Sequence, residues 1–167
     1  MIRLATLADI PAILHLIEQV VPLMQASGNF QWTADYPNAE VFQRDIEQGH
    51  LWVAEHEGQV AALAALTHNH QDQEYAQADW DVAEPALVTH RLAVSPAAQG
   101  HGLAAALLAQ AEQLAREQGL RVLRVDTNSE NQATQRLFPK LGYRFAGEIT
   151  LAFRPGLRFF CYEKRLA

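Results

Sequence analysis

The clearest chemical potential lies in the run Val94-Ser95-Pro96-Ala97-Ala98-Gln99-Gly100-His101-Gly102-Leu103-Ala104, where an apolar segment ends, two glycines follow and a long helical pattern begins. The first N–H groups of a helix have no intrahelical acceptor, and glycines let an anion approach the backbone closely. The run therefore predicts a phosphate or pyrophosphate held over residues 100–105. No Gly-Lys-Ser/Thr closes the loop, so a nucleoside-triphosphatase cradle is excluded. A rival pattern is present: Gly100-His101-Gly102-Leu103-Ala104-Ala105 fits the G-x-G-x-x-A of dinucleotide-binding oxidoreductases, and Asp126 ends the next strand, where a ribose-binding acid would stand. Against it, residues 95–99 separate the strand from the first glycine, and only one helix and a hairpin follow Asp126.

Other chemistry-bearing residues are more scattered. Trp32 and Tyr36 stand in a polar loop, and Trp80 in an acidic stretch. Such rings can cradle a cationic or apolar substrate, or simply pin a loop to the core. His68 and His70 alternate as two ligands of a metal would, but no third ligand accompanies them, and no metal is expected. Cys161, the only cysteine, sits between Phe160 and Tyr162, where a buried thiol behaves as a small inert hydrophobe.

The elements that must position these residues alternate along the chain. A short strand is expected over residues 2–5. A helix follows with Asp9 as N-cap and Pro11 in its first turn, and with Ile13, Leu16, Ile17 and Val20 at helical spacing. Residues 27–37 read as a loop and 39–48 as a short helix. Residues 51–55 and 59–67 read as strands joined at Glu57-Gly58, a hairpin turn signal. Residues 87–94 form a strand, 102–118 the clearest helix, with Gly119 as its stop, and 122–126 a strand. Residues 131–141 form a helix, and 143–149 and 158–164 two last strands. The acidic residues between Asp72 and Glu84 read as a solvated loop.

The chain has 167 residues, 49% hydrophobic and 19% charged, with a net charge of -6. One domain over residues 1–167 is expected, large enough to hold a core without disulfides. The negative charge argues against a nucleic-acid partner. No apolar run approaches the ~20 residues that span a bilayer, and no leader pattern opens the chain. With the single cysteine, this points to the cytoplasm.

Gln99-Gly100-His101-Gly102-Leu103-Ala104 resembles the Q/R-x-x-G-x-G/A signature of the GNAT superfamily of N-acetyltransferases. The Asn131-led run NQATQRLFPKLG, closed by Tyr143, resembles that family's second landmark. The wider pattern HRLAVSP, QGHGLA, RVDTNSEN, RLFPKLGY, with QWTADYP before it and YEK after, is similar to bacterial members of the family across nearly the whole chain. The resemblance implies an α/β fold: a mixed, mostly antiparallel sheet with splayed central strands and helices on both faces. It implies acetyl-CoA as cosubstrate, an amine as acceptor and a homodimer as a common state; the inert Cys161 favours direct transfer between the two substrates, and the aromatic loop points to a small-molecule acceptor.

The same resemblance implies a site. The cofactor's pantetheine arm would bond the backbone of Leu92 and Val94, and its pyrophosphate would lie on Gln99, Gly100, His101, Gly102, Leu103 and Ala104, with Asn131 near the thioester. A base must take the amine's proton. His90 is the first candidate because it shares strand parity with Leu92 and Val94; Asp126 is the second. Each has a plain alternative, His90 as a histidine bonded within the sheet and Asp126 as a structural or cation-binding acid. Trp32, Tyr36 and Trp80 would line the acceptor pocket. Two departures stand out. Val88 lies where many members carry a glutamate base, and Phe138 where a tyrosine acid is usual. They leave open a non-catalytic acyl-CoA sensor.

Overall fold

The chain, described over residues 1–167 by a computed structural model, forms β1 (Ile2–Leu4), α1 (Ile10–Ala26), α2 (Ala39–Glu47), β2 (Leu51–His56), β3 (Gln59–His68), β4 (Leu87–Val94), α3 (Leu103–Glu117), β5 (Val122–Asn128), α4 (Gln132–Lys140), β6 (Arg144–Ile149) and β7 (Phe159–Arg165). The strands make one seven-stranded sheet in the order β1-β2-β3-β4-β5-β7-β6. Every neighbouring pair is antiparallel except β4–β5. A dinucleotide fold needs a run of parallel strands, so this topology overturns the G-x-G-x-x-A reading.

Alternating side chains divide the core between the two faces of the sheet. On one face, Leu107, Leu108 and Ala111 of α3 and Phe138 of α4 pack on Ala62, Leu66, Leu87, Leu123 and Val125. The opposite face has two separate covers. Ile13, Leu16 and Ile17 of α1 and Phe42 of α2 cover Leu51, Val53, Leu63 and Ala93. Residues 69–86 lay Tyr75 and Ala86 over Val88, Val122 and Cys161. The gap between these covers is where the sheet is left open.

The segment carrying Tyr75 is pinned to the sheet, while its acidic side chains stay exposed or half-buried. Arg124, fully buried on β5, donates to Glu163 on β7 at 2.9 Å, to Gln71 at 2.7 Å and to the Asp81 carbonyl at 2.8 Å. Its guanidinium also stacks on Trp80, 5.0 Å from the ring centroid. A buried cation demands such partners, so Arg124 orders the segment; removing one member of such a pair typically costs about 3–5 kcal/mol.

Asp9 stands at the N-cap position of α1, as expected, but its side chain makes no cap hydrogen bond to that helix. Its carboxylate accepts from the backbone N–H of Thr6 at 2.7 Å and from Arg3 at 2.8 and 2.9 Å. The carboxylate thus closes a capping box on the turn preceding α1. That turn and α1 together make the stretch Leu7–Ala26, which by length and composition alone is apolar enough to cross a membrane, although no single apolar run does so. Here its buried residues, Ile13, Leu16, Ile17 and Val21, face the core.

Candidate functional site

β4 and β5 pair only over Leu87, Val88 and Thr89 with Leu123, Arg124 and Val125. Beyond Thr89 the two strands part, and no β5 partner remains for residues 90–94. On its other side β4 breaks register with β3: Ala65 pairs with His90 and Leu63 with Ala93, so Arg91 and Leu92 form a bulge without partners. Arg91 stands at φ 54, a left-handed conformation that L side chains rarely adopt. Asp45 of α2 offsets that strain by accepting from Nε and Nη2 of Arg91 at 2.8 and 2.7 Å. Splay and bulge together leave backbone groups of this run available to a ligand.

A cleft of about 400 Å3 fills the gap between the strands. Its walls include Leu92, Val94, Gln99, Gly100, Gly102, Leu103, Ala104 and Asn131, so most of the residues assigned to the cofactor from sequence meet here. At its end α3 begins without a side-chain cap, and no N–H group of residues 100–105 has an acceptor within the chain. Gly100 and Gly102 take φ 81 and 72, and a Cβ added at either would meet nothing within 4 Å. Open donors at a helix N-terminus beside an apolar cleft suit a pyrophosphate joined to a pantetheine arm. Asn131 also caps α4, accepting from Thr134 N–H at 3.2 Å through Oδ1. His101 is absent from these walls; its ring lies 4.3 Å from that of His56.

A second cavity, of about 710 Å3, opens between the two covers of the sheet. Its floor is Thr67, Thr89, His90, Arg91 and Asp126; Trp32, Tyr36 and α2 form one wall, and Asp72, Leu151 and Phe153 the other. Arg154 ties the rim together, donating to the Gln31 carbonyl at 2.7 Å and stacking over Tyr36 at 4.9 Å. Gln31, Trp32, Thr89, Arg91 and Asp126 line both cavities and mark their junction.

The two base candidates differ at this junction. The bulge breaks the parity expected for His90: Leu92 and Val94 pack toward α3, whereas His90 opens only into the second cavity. Its Nε2 donates to the His70 carbonyl at 3.0 Å, which leaves Nδ1 as the acceptor. Burial, with Arg91 beside it, pushes its pKa down to about 4. Burial raises that of Asp126 to about 6, although a hydrogen bond from the Tyr75 hydroxyl at 2.6 Å opposes the rise. A base whose pKa lies nearer to neutrality accepts a proton more effectively there, and of the two only Asp126 touches both cavities.

The remaining sequence candidates fall in three places. Trp32 is buried and Tyr36 half-buried, and both line the second cavity. Trp80 lines neither cavity, because it stacks on Tyr75 and Arg124. His68 bonds Gln118 at 2.8 Å, away from His70. Phe138 is buried against Tyr143 and Tyr162, and Cys161 is buried below the sheet, its thiol pushed well up by burial. Sequence reasoning missed Asp45, Asp72, Tyr75, Arg91 and Phe153. The one signal among them was an isolated aromatic, Tyr75, in a polar stretch.

The sequence profile of the Acetyltransferase (GNAT) family matches residues 17–143. The uncharacterized N-acetyltransferase YjgM of Escherichia coli (strain K12) is 30% identical over 146 residues, covering 84% of this chain and 80% of its own. An acetyltransferase of the GNAT family from Streptococcus agalactiae superposes with a TM-score of 0.86 at 31% identity, covering 100% of this chain and 95% of its own. The putative acetyltransferase yncA of Salmonella typhimurium, solved with acetyl-CoA, does so with a TM-score of 0.72 at 23% identity, covering 100% and 94%.

Proposed function

The chain belongs to the GNAT family of N-acetyltransferases, and on that footing we propose that it moves an acetyl group from acetyl-CoA to a primary amine of a small molecule, by direct transfer with both substrates bound. The observation that carries this reading is the meeting of a backbone-lined cleft and a polar, aromatic-walled cavity at Asp126. The Salmonella structure with acetyl-CoA supports the same cosubstrate here. The acceptor cavity, about 710 Å3, lies in the range of small-molecule sites.

Acetyl-CoA supplies an acyl group already activated as a thioester. The N–H groups of residues 100–105 hold the pyrophosphate end, and Leu92, Val94 and Asn131 hold the arm. The acceptor enters as an ammonium ion, drawn toward the Asp126 carboxylate, and becomes nucleophilic when Asp126 takes its proton; His90 is the second candidate for that step. A backbone N–H of the bulge run, residues 92–94, stabilises charge growing on the acyl oxygen. Phe138 cannot protonate the departing thiolate, so the second proton, shed by the nitrogen as the amide forms, passes to the thiolate through water. Cys161, buried and away from both cavities, takes no acyl group. A single domain over residues 1–167, a cytoplasmic location, no metal, no nucleic-acid or membrane partner, and a homodimer complete the proposal.

Calorimetric titration with acetyl-CoA, with NAD as control, followed by thiol release across a panel of amines, tests this. Acetyl-CoA binding with amine-dependent release supports transfer. Binding without turnover of any amine would favour a sensor, and failure to bind acetyl-CoA would remove the premise of the proposal.

A further inference from the structure

Tyr75 is fully buried, touches neither cavity, and donates its hydroxyl to Oδ2 of Asp126 at 2.6 Å. It is itself held. Trp80 donates Nε1 to the Tyr75 carbonyl at 2.6 Å and packs tilted against its ring, centroids 4.9 Å apart, and the guanidinium of Arg124, two residues before Asp126 on β5, lies over the Trp80 ring. Arg124 orders the same segment through Gln71 and the Asp81 carbonyl. The chain Arg124–Trp80–Tyr75–Asp126 thus returns to the strand it starts from, and its last link is a single donor aimed at the carboxylate.

We propose that Tyr75 is the positioning residue of Asp126: its hydroxyl fixes the carboxylate at the junction and sets how readily that carboxylate takes a proton, with Trp80 as its buttress. The proposal rests on the reading of Asp126 as the base and gives Trp80 a role that acts through Tyr75 rather than on substrate.

The surroundings of Asp126 leave this donor the decisive adjustable contact. Asp72 faces it as a like charge that favours the protonated form. Cys161, its partner on β7, stays neutral because burial raises its thiol. His90 is neutral above about pH 4, and Arg91 is engaged by Asp45. Burial raises the Tyr75 phenol as well, so it remains a donor throughout the pH range in which Asp126 titrates. A donor stabilises the ionised carboxylate, and its loss must move the titration upward.

The test is a residue-resolved 13C titration of the Asp126 carboxyl in wild type and in Tyr75→Phe, with Asp126→Asn to assign the signal. The expected midpoint in Tyr75→Phe is higher by roughly one pH unit, the scale of one hydrogen bond to a charged group. An unchanged midpoint in a folded Tyr75→Phe would overturn the proposal, since a purely structural tyrosine would lower the melting temperature alone. If Tyr75→Phe does not fold, Trp80→Phe decides: a smaller upward move supports the proposal and none overturns it. The titration needs no acceptor, so it stands apart from thiol release by Asp126→Asn, which judges whether Asp126 is the base.

Discussion

The two halves of the site are built by opposite means. The cleft proposed for the cofactor is largely backbone: strands that part after Thr89, a bulge at Arg91 and Leu92, and a run of unpaired N–H groups at the start of α3. The cavity proposed for the acceptor is largely side chains brought from far apart in sequence, with α2, the loop of Trp32 and Tyr36, residues 69–86 and the β6–β7 connection all contributing. A backbone cleft tolerates many side-chain changes but few changes of conformation. The side-chain cavity has the reverse sensitivity, so one scaffold can keep a cosubstrate while its acceptor varies.

Substitutions that separate the halves sharpen this contrast. The largest effect is expected from Gly102→Trp, which places a side chain in open space at the anion end of the cleft. Calorimetry should show loss of acetyl-CoA binding, while the left-handed backbone costs about 1–2 kcal/mol of stability. Asp126→Asn should leave acetyl-CoA affinity intact and lower kcat by roughly 10²–10⁴. In the wild type, kcat/KM should climb as pH rises through about 6, because Asp126 is protonated below that value and cannot accept the amine's proton. Trp32→Ala should lose fold and activity together, by about 3–5 kcal/mol in denaturant unfolding, since Trp32 belongs to the core as well as to both cavities.

Asp45→Ala should destabilise by roughly 2–3 kcal/mol, less than for a fully buried pair because the Arg91 side chain is 19% exposed. Its steady-state signature is weaker acceptor use, read as a raised amine KM, as the bulge loses its anchor. Cys161→Ala, the smallest change, should leave turnover unaltered and cost about 1 kcal/mol in thermal melts. A strong loss of turnover there would break the contrast by giving the sheet interior a chemical role.

The same contrast explains what the sequence made legible. The cleft could be read because its parts are local: the glycines, the helix start and Asn131 lie within about forty residues, and the strand periods were plain. The cavity could not, because Asp45 meets Arg91 and Tyr75 meets Asp126 only after the sheet has formed. Parity failed for His90 because a bulge adds a residue that alternation cannot foresee. Trp80 failed as a pocket residue because an aromatic in a polar stretch serves a buried arginine as readily as a ligand, and Arg124 itself gave no sign of being buried.

The most direct test of the account is a structure of the protein with acetyl-CoA. In that structure the pyrophosphate should lie on the N–H groups of residues 100–105 and the thioester at the junction lined by Asp126. A cosubstrate whose thioester points away from Asp126, or whose pyrophosphate lies elsewhere, would contradict the account.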